Sequence, residues 1–256
     1  KRVPLVSDAA APLHAVSPGA LGSDATNSAG YSWIVDLLPS LEEGILFHEV
    51  ERASLKRKVR PFDASVRDAG GDHFSTRPMP AFRCPSFGQA LVTTGVGSEY
   101  DGFPFSGRPA VSSYAAIVGT HVDPQNGIQE NGVIVSRCAT APDTCDGEGL
   151  RLADIRDGIS KTLILCETIE PVYSAWMDGQ ATWVVGLAHQ DIGATDGDGF
   201  PTAEKTMLGR PGYSNAALAT QWPGRIPRNW GPSSQHGDIV MHVFADGHSL
   251  AIFTDV

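Results

Sequence analysis

The sequence predicts an α+β fold: an N-terminal helical segment packed on an antiparallel β-sheet, with long irregular insertions and a C-terminal β-hairpin. Three observations predict it. Apolar residues recur at helical spacing only near the start of the chain. From about residue 78 the texture changes to short apolar runs between Gly, Pro and Asp turns. Residues 237–254 read as two strands around Asp246-Gly247. Helices first and strands afterwards is the order of an α+β chain.

Residues 1–30 are rich in Ala, Ser, Gly and Pro without a period and read as a linker or extended arm on the surface. Residues 31–256 then form a single globular domain. Within it, Trp33, Ile34, Leu37, Leu38, Leu41, Ile45 and Leu46 share one helical face. Pro39 splits this stretch into a helix near 32–38 and a second that begins with Pro39 in its first turn. Lys56-Arg57-Lys58 reads as a solvated helix end, where cations complement the dipole.

Strands are expected at 80–83, 90–94, 113–118, 132–136, 162–169, 181–187, 238–245 and 248–254. Insertions fall at 95–112, 120–131 and 188–232. Asp246-Gly247 fits a two-residue type I′ hairpin turn, with φ > 0 at both positions.

Composition narrows the function classes. The 256 residues carry 19 Lys+Arg against 29 Asp+Glu, a net charge of −10. That balance argues against nucleic-acid binding and against docking on an anionic membrane. Gly 28 and Pro 18 suit short strands joined by many turns. No apolar run reaches the length of a membrane helix.

Four cysteines divide into two kinds. Cys138 and Cys145 bracket a polar loop with Pro142-Asp143 at its turn, which fits a local disulfide and an oxidising, extracytoplasmic compartment. Cys84 and Cys166 flank apolar strands and form a second candidate pair. No Cys-x2-Cys pair with matching His spacing is present, so local spacing does not indicate zinc.

Other candidate chemistry is thin. Asp191, Asp196 and Asp198 could supply hard oxygen ligands to calcium from one loop, against a plain surface turn cluster. Glu167 and Glu170 face opposite sides of a regular strand and suit a strand end better than a glycosidase pair. The tryptophans at 176, 183, 222 and 230 could stack on sugars or pack in the core. No Gly-x-Ser-x-Gly elbow surrounds Ser234, and a strand separates His236 from Asp246, so a hydrolytic triad is not expected. There is no Walker loop and no Rossmann fingerprint.

Several segments together resemble a known family. They are Tyr31-Ser-Trp-Ile-Val-Asp-Leu-Leu-Pro-Ser-Leu-Glu-Glu, Phe82-Arg-Cys-Pro-Ser86 and Ser113-Tyr-Ala-Ala-Ile-Val-Gly119. The stretch Arg151–Glu167, with Asp157-Gly158-Ile-Ser-Lys-Thr inside it, and His236 followed by nine residues and then Asp246-Gly247 complete the set. They resemble the prepilin-type family with a His, nine residues, Asp-Gly ending, domain of unknown function 1559, expanded in planctomycete bacteria. Such proteins resemble type IV pilins and type II secretion pseudopilins.

The resemblance implies the soluble, extracytoplasmic head of a pilin-like protein, non-enzymatic, whose full-length form is anchored by an N-terminal apolar helix. It implies other pilin or pseudopilin subunits as partners. It brings no catalytic residues, so His236, Asp246, Gly247, Asp157 and Gly158 read as structural markers. By analogy with pseudopilins it favours calcium at the 191–198 loop. Two functions remain beside it: a carbohydrate- or solute-binding module using the 188–232 insertion, and a hydrolase.

Overall fold

A computed structural model describes residues 2–8, 30–88, 91–93, 107–119, 122–123, 127–128, 130–140, 147–169, 174–179, 181–186 and 231–253. The fold is α+β. Helix α1 spans Trp33–Leu37 and runs into a 3-10 turn, Leu38–Leu41, with Pro39 in its first positions. Helix α2 spans Gly44–Ala53 and buries Leu46 and Val50, one turn apart. Proline thus ends the first helix as expected, but the second begins five residues later. Glu42 takes a left-handed φ of 64° between them. A short α3, Arg137–Thr140, follows in the middle of the chain.

The main sheet contains β1 (Tyr114–Gly119), β4 (Leu163–Glu167), β5 (Trp183–Val185), β6 (Ile239–Phe244) and β7 (Ser249–Phe253), in the order β5-β1-β4-β6-β7. A separate two-stranded ribbon pairs β2 (Val122–Asp123) with β3 (Gly127–Ile128). Three of the four pairings in the main sheet are antiparallel. The fourth corrects the expectation of an all-antiparallel sheet: β5 lies parallel to β1. A long connection carries the chain from β4 round to the far side of β1, and a crossover of that kind permits parallel pairing.

One face of the sheet meets the helices. Trp33, Ile34, Val35, Leu38, Leu46 and Val50 share a core with Ala116, Val118, Trp183 and Val185. Trp33 anchors this contact, donating its indole N–H to the Thr182 carbonyl at 2.9 Å and meeting Phe82 edge-on at 6.2 Å. The other face carries a smaller cluster of Ala115, Ile117, Cys166 and Val184.

Residues 2–8 run extended along this body, bridging to Arg151 and Ser32, and Val6 is fully buried. The segment therefore contributes to the core, deeper than an arm laid on the surface. Residues 9–29 lie outside the described residues.

Three expected strands are not strands, and of the run at 90–94 the described residues 91–93 form only an isolated bridge, Val92 to Ala110. Pro80–Phe82 is a 3-10 turn that buries Phe82, and Val133–Val135 is buried without joining a ladder. Gly132 explains the last case. Its N–H reaches the Val118 carbonyl at 2.9 Å, and a Cβ there would stand 2.7 Å from backbone atoms of β1.

Arg57 also departs from expectation. Its side chain is only 17% exposed and pairs with Asp36 at 2.7 Å and Asp8 at 3.6 Å. Leu55, Lys56 and Arg57 all adopt left-handed φ values, which turn the chain back so that Arg57 reaches these acids. A cation with two carboxylates inside reach gains more there than in water.

The C-terminal hairpin forms, with a different turn. The ladder pairs Val243 with Ser249, and the Phe244 N–H donates to the His248 carbonyl. Ala245, Asp246 and Gly247 are therefore a three-residue loop. Of these, only Gly247 has positive φ, 91°. This is the type I turn closed by a left-handed glycine, so Asp246 does not bear the strain a type I′ turn would give it.

A candidate metal centre

Three distant segments meet where β4 ends. The first is 82–88. The Ser113 N–H donates to the Phe82 carbonyl just before β1, and the Phe87 N–H turns back to the Cys84 carbonyl. This holds Cys84 beside Phe87 and Val111, 8% exposed. The second is the end of β4, where Glu167 is 4% exposed. The third is 231–238, laid against β4 by the Ser233 N–H on the Glu167 carbonyl. Within it the Ser234 hydroxyl donates to the Ile239 carbonyl and accepts the His236 N–H at 3.0 Å. Gln235 closes the junction by accepting the Gly88 N–H at 2.9 Å.

The side chains so placed are Cys84, Glu167 and His236. His236 Nε2 lies 3.1 Å from Cys84 Sγ and 3.2 Å from Glu167 Oε1. The other carboxylate oxygen, Oε2, accepts the Met241 N–H of β6 at 3.0 Å. One ligand atom from each residue fits within 4.8 Å of the others. Burial pushes the Cys84 thiol up. The Ser86 N–H pulls it down, Glu167 pushes it up again, and the Phe87 N–H pulls it down. Cys84 and Glu167 are buried, whereas the His236 side chain is 30% exposed, so the cluster opens to solvent on the histidine side.

A nucleophile–base–acid relay uses the two ring nitrogens of histidine separately, one for the nucleophile and one for the acid. Here thiol and carboxylate both address Nε2. One nitrogen cannot accept from the thiol and donate to the carboxylate at once. The arrangement suits three donors around a shared cation better than a thiol protease.

The remaining candidate residues fall elsewhere. Asp246 is not a partner of His236. Its Oδ1 accepts the His248 N–H at 3.1 Å and contacts His248 Nδ1 at 2.5 Å. These bonds hold the Asp246 carboxyl below its usual range. Asp157-Gly158 forms a turn with Gly158 at φ 91°. Thr162 donates its hydroxyl to the Gly158 carbonyl at 3.0 Å, and the Asp246 N–H reaches the Ile159 carbonyl. The two Asp-Gly turns therefore sit side by side.

Cys84 and Cys166 are free thiols, which corrects the second disulfide pairing. Successive residues of a strand face opposite sides. Cys166 points into the Ala115–Ile117 cluster, while Glu167, its neighbour, points to Cys84. Trp176 and Trp183 are core residues. Cys145, the Cys138 side chain, the calcium candidates Asp191, Asp196 and Asp198, Glu170, and Trp222 and Trp230 lie outside the described residues.

Sequence reading missed the convergence of Cys84, Glu167 and His236. Each stood in its own motif, 83 and 69 residues apart along the chain. The available signal was chemical: the Cys-Pro-Ser segment, the strand ending in Glu and the His-containing signature each contribute one metal-capable side chain. No curated protein and no solved structure matches the chain. A match to a protein family of unknown function, domain of unknown function 1559, covers residues 11–255, and the chain belongs to that family.

Proposed function

We propose that the chain is the non-enzymatic, extracytoplasmic head of a pilin- or pseudopilin-like subunit, serving assembly into a pilus or secretion pseudopilus or display at the cell surface. Its partners are other subunits of that kind. The supporting observation is the use made of the signature residues. Asp246 and Gly247 close a hairpin, Asp157-Gly158 forms the turn packed beside it, and His236 joins three chain segments. At His236 the thiol and the carboxylate share one ring nitrogen, which is not the geometry of a reaction relay. Residues spent on holding a head together suit a domain whose work is to present a surface.

The test uses the full-length gene product in its own host. Epitope-tagged protein should be protease-accessible on intact cells, or recovered with filaments sheared from them. Recovery in the cytosolic fraction alone, with full protection from external protease, would overturn the reading.

A further inference from the structure

The geometry points to a zinc site made by Cys84, Glu167 and His236, with a fourth position open to water. The inference concerns the chain itself and does not depend on filament membership.

The donor set argues for zinc first. Thiolate, imidazole and carboxylate together suit a borderline-soft ion, while calcium and magnesium prefer all-oxygen ligands. The distances argue next. Tetrahedral zinc at ordinary bond lengths separates sulfur from nitrogen by about 3.6 Å and nitrogen from oxygen by about 3.3 Å. The protein holds the same pairs at 3.1 and 3.2 Å. A shift of a few tenths of an ångström would seat the ion.

Charge argues third. A carboxylate as buried as Glu167 is costly without compensation. Zinc bound by one thiolate and one carboxylate gives a site of zero net charge.

Surrounding bonds already fix the donors. The Met241 N–H holds Oε2 and leaves Oε1 turned to the cluster. The backbone N–H groups of Ser86 and Phe87 also address the Cys84 sulfur. Outer bonds of this kind orient ligands at metal sites. The His236 side chain, 30% exposed, leaves a path for the ion from solvent.

Binding is a proton exchange. Zinc displaces the Cys84 thiol proton into solvent, a sulfur–zinc bond replaces the sulfur–hydrogen bond, and Nε2 donates its lone pair from a neutral ring. No electron changes hands.

The experiment uses the full chain, stripped with chelator, kept reduced with a phosphine and dialysed against zinc chloride alone. Elemental analysis should find one zinc per chain. Cobalt in its place should give a thiolate-to-metal charge-transfer band. Zinc should protect Cys84 from alkylation, read by peptide mass spectrometry. Cys84→Ser should abolish the cobalt band, and His236→Ala and Glu167→Gln should each weaken binding by about tenfold or more. A wild-type chain that binds no zinc, cobalt without a thiolate band, or equal zinc in Cys84→Ser would overturn the site. The cobalt and alkylation readouts need only the wild-type chain, so a poorly folding variant does not blunt the test.

Discussion

The family signature has two ends, and they are built by different physics. At one end Asp246 and Gly247 form a loop closed by bonds that reach two or three residues, from Asp246 to His248 and from Gly247 to Phe244. At the other end His236 meets Cys84 and Glu167, which lie 152 and 69 residues away along the chain. Strand β6 separates the two ends. The turn is exposed and is closed by its own short-range bonds, with a further backbone bond from Asp246 to Ile159, whereas the junction works only when three segments arrive together. Nine residues of spacing therefore encode a strand length, which sets the distance between a turn and a cross-link.

The largest effect should come from the junction. Glu167→Ala leaves the Met241 N–H without its acceptor and His236 without its carboxylate, inside the fold. The expected loss is about 3 kcal/mol in urea unfolding at neutral pH. A loss below that expected for the turn variants would break the distinction between the two ends.

A buried histidine away from both ends, His73, should make the fold sensitive to acid. It is 2% exposed. The Ser75 N–H donates to its Nδ1 at 3.2 Å, so Nε2 carries the proton and faces the Asp63 carbonyl at 3.1 Å. Burial lowers its pKa to about 4. The unfolded chain then binds more protons between about 6.5 and 4, so stability is full above that window and falls as pH drops through it. The expected loss approaches 3 kcal/mol, and His73→Gln should flatten the slope over the same window. Equal slopes in wild type and His73→Gln would assign the acid response elsewhere.

At the turn, Gly247→Val places a β-branched residue at φ 91° and should cost about 2 kcal/mol. Thermal melts should show the loss without any change in zinc content. A loss of zinc in Gly247→Val would show that the two ends are coupled through β6.

Asp246→Ala should be the mildest change. It removes exposed bonds to His248, whose ring also stacks on Phe244 at 4.2 Å. The expected cost is smaller than that of Gly247→Val. A larger loss, matching that of Glu167→Ala, would mean that the turn organises the hairpin more than its exposure suggests.

Much of the fold was legible because its cause is local. Pro39 ends α1 by steric exclusion, and Asp246-Gly247 marks a chain reversal wherever it occurs. Strands β4, β5, β6 and β7 each fall within an expected run of apolar residues, and β1 overruns its run, 113–118, by Gly119 alone. The runs at 80–83 and 132–136 misled because apolar residues report burial, and burial does not require a ladder. Phe82 is buried by a turn, and Val133–Val135 by the approach of Gly132 to β1.

By itself the sequence determined the helix-then-sheet order, the hairpin and the place of its turn, since dihedral preference and period act within a few residues. Only the tertiary structure decided that β5 runs parallel to β1, that Arg57 turns inward to Asp36 and Asp8, and that Cys84 meets Glu167 in preference to Cys166. Each of those depends on which face a residue presents and which remote segment lies there. A change of one residue in strand register would send Glu167 to the other face and separate the three donors, and no local pattern carries that choice.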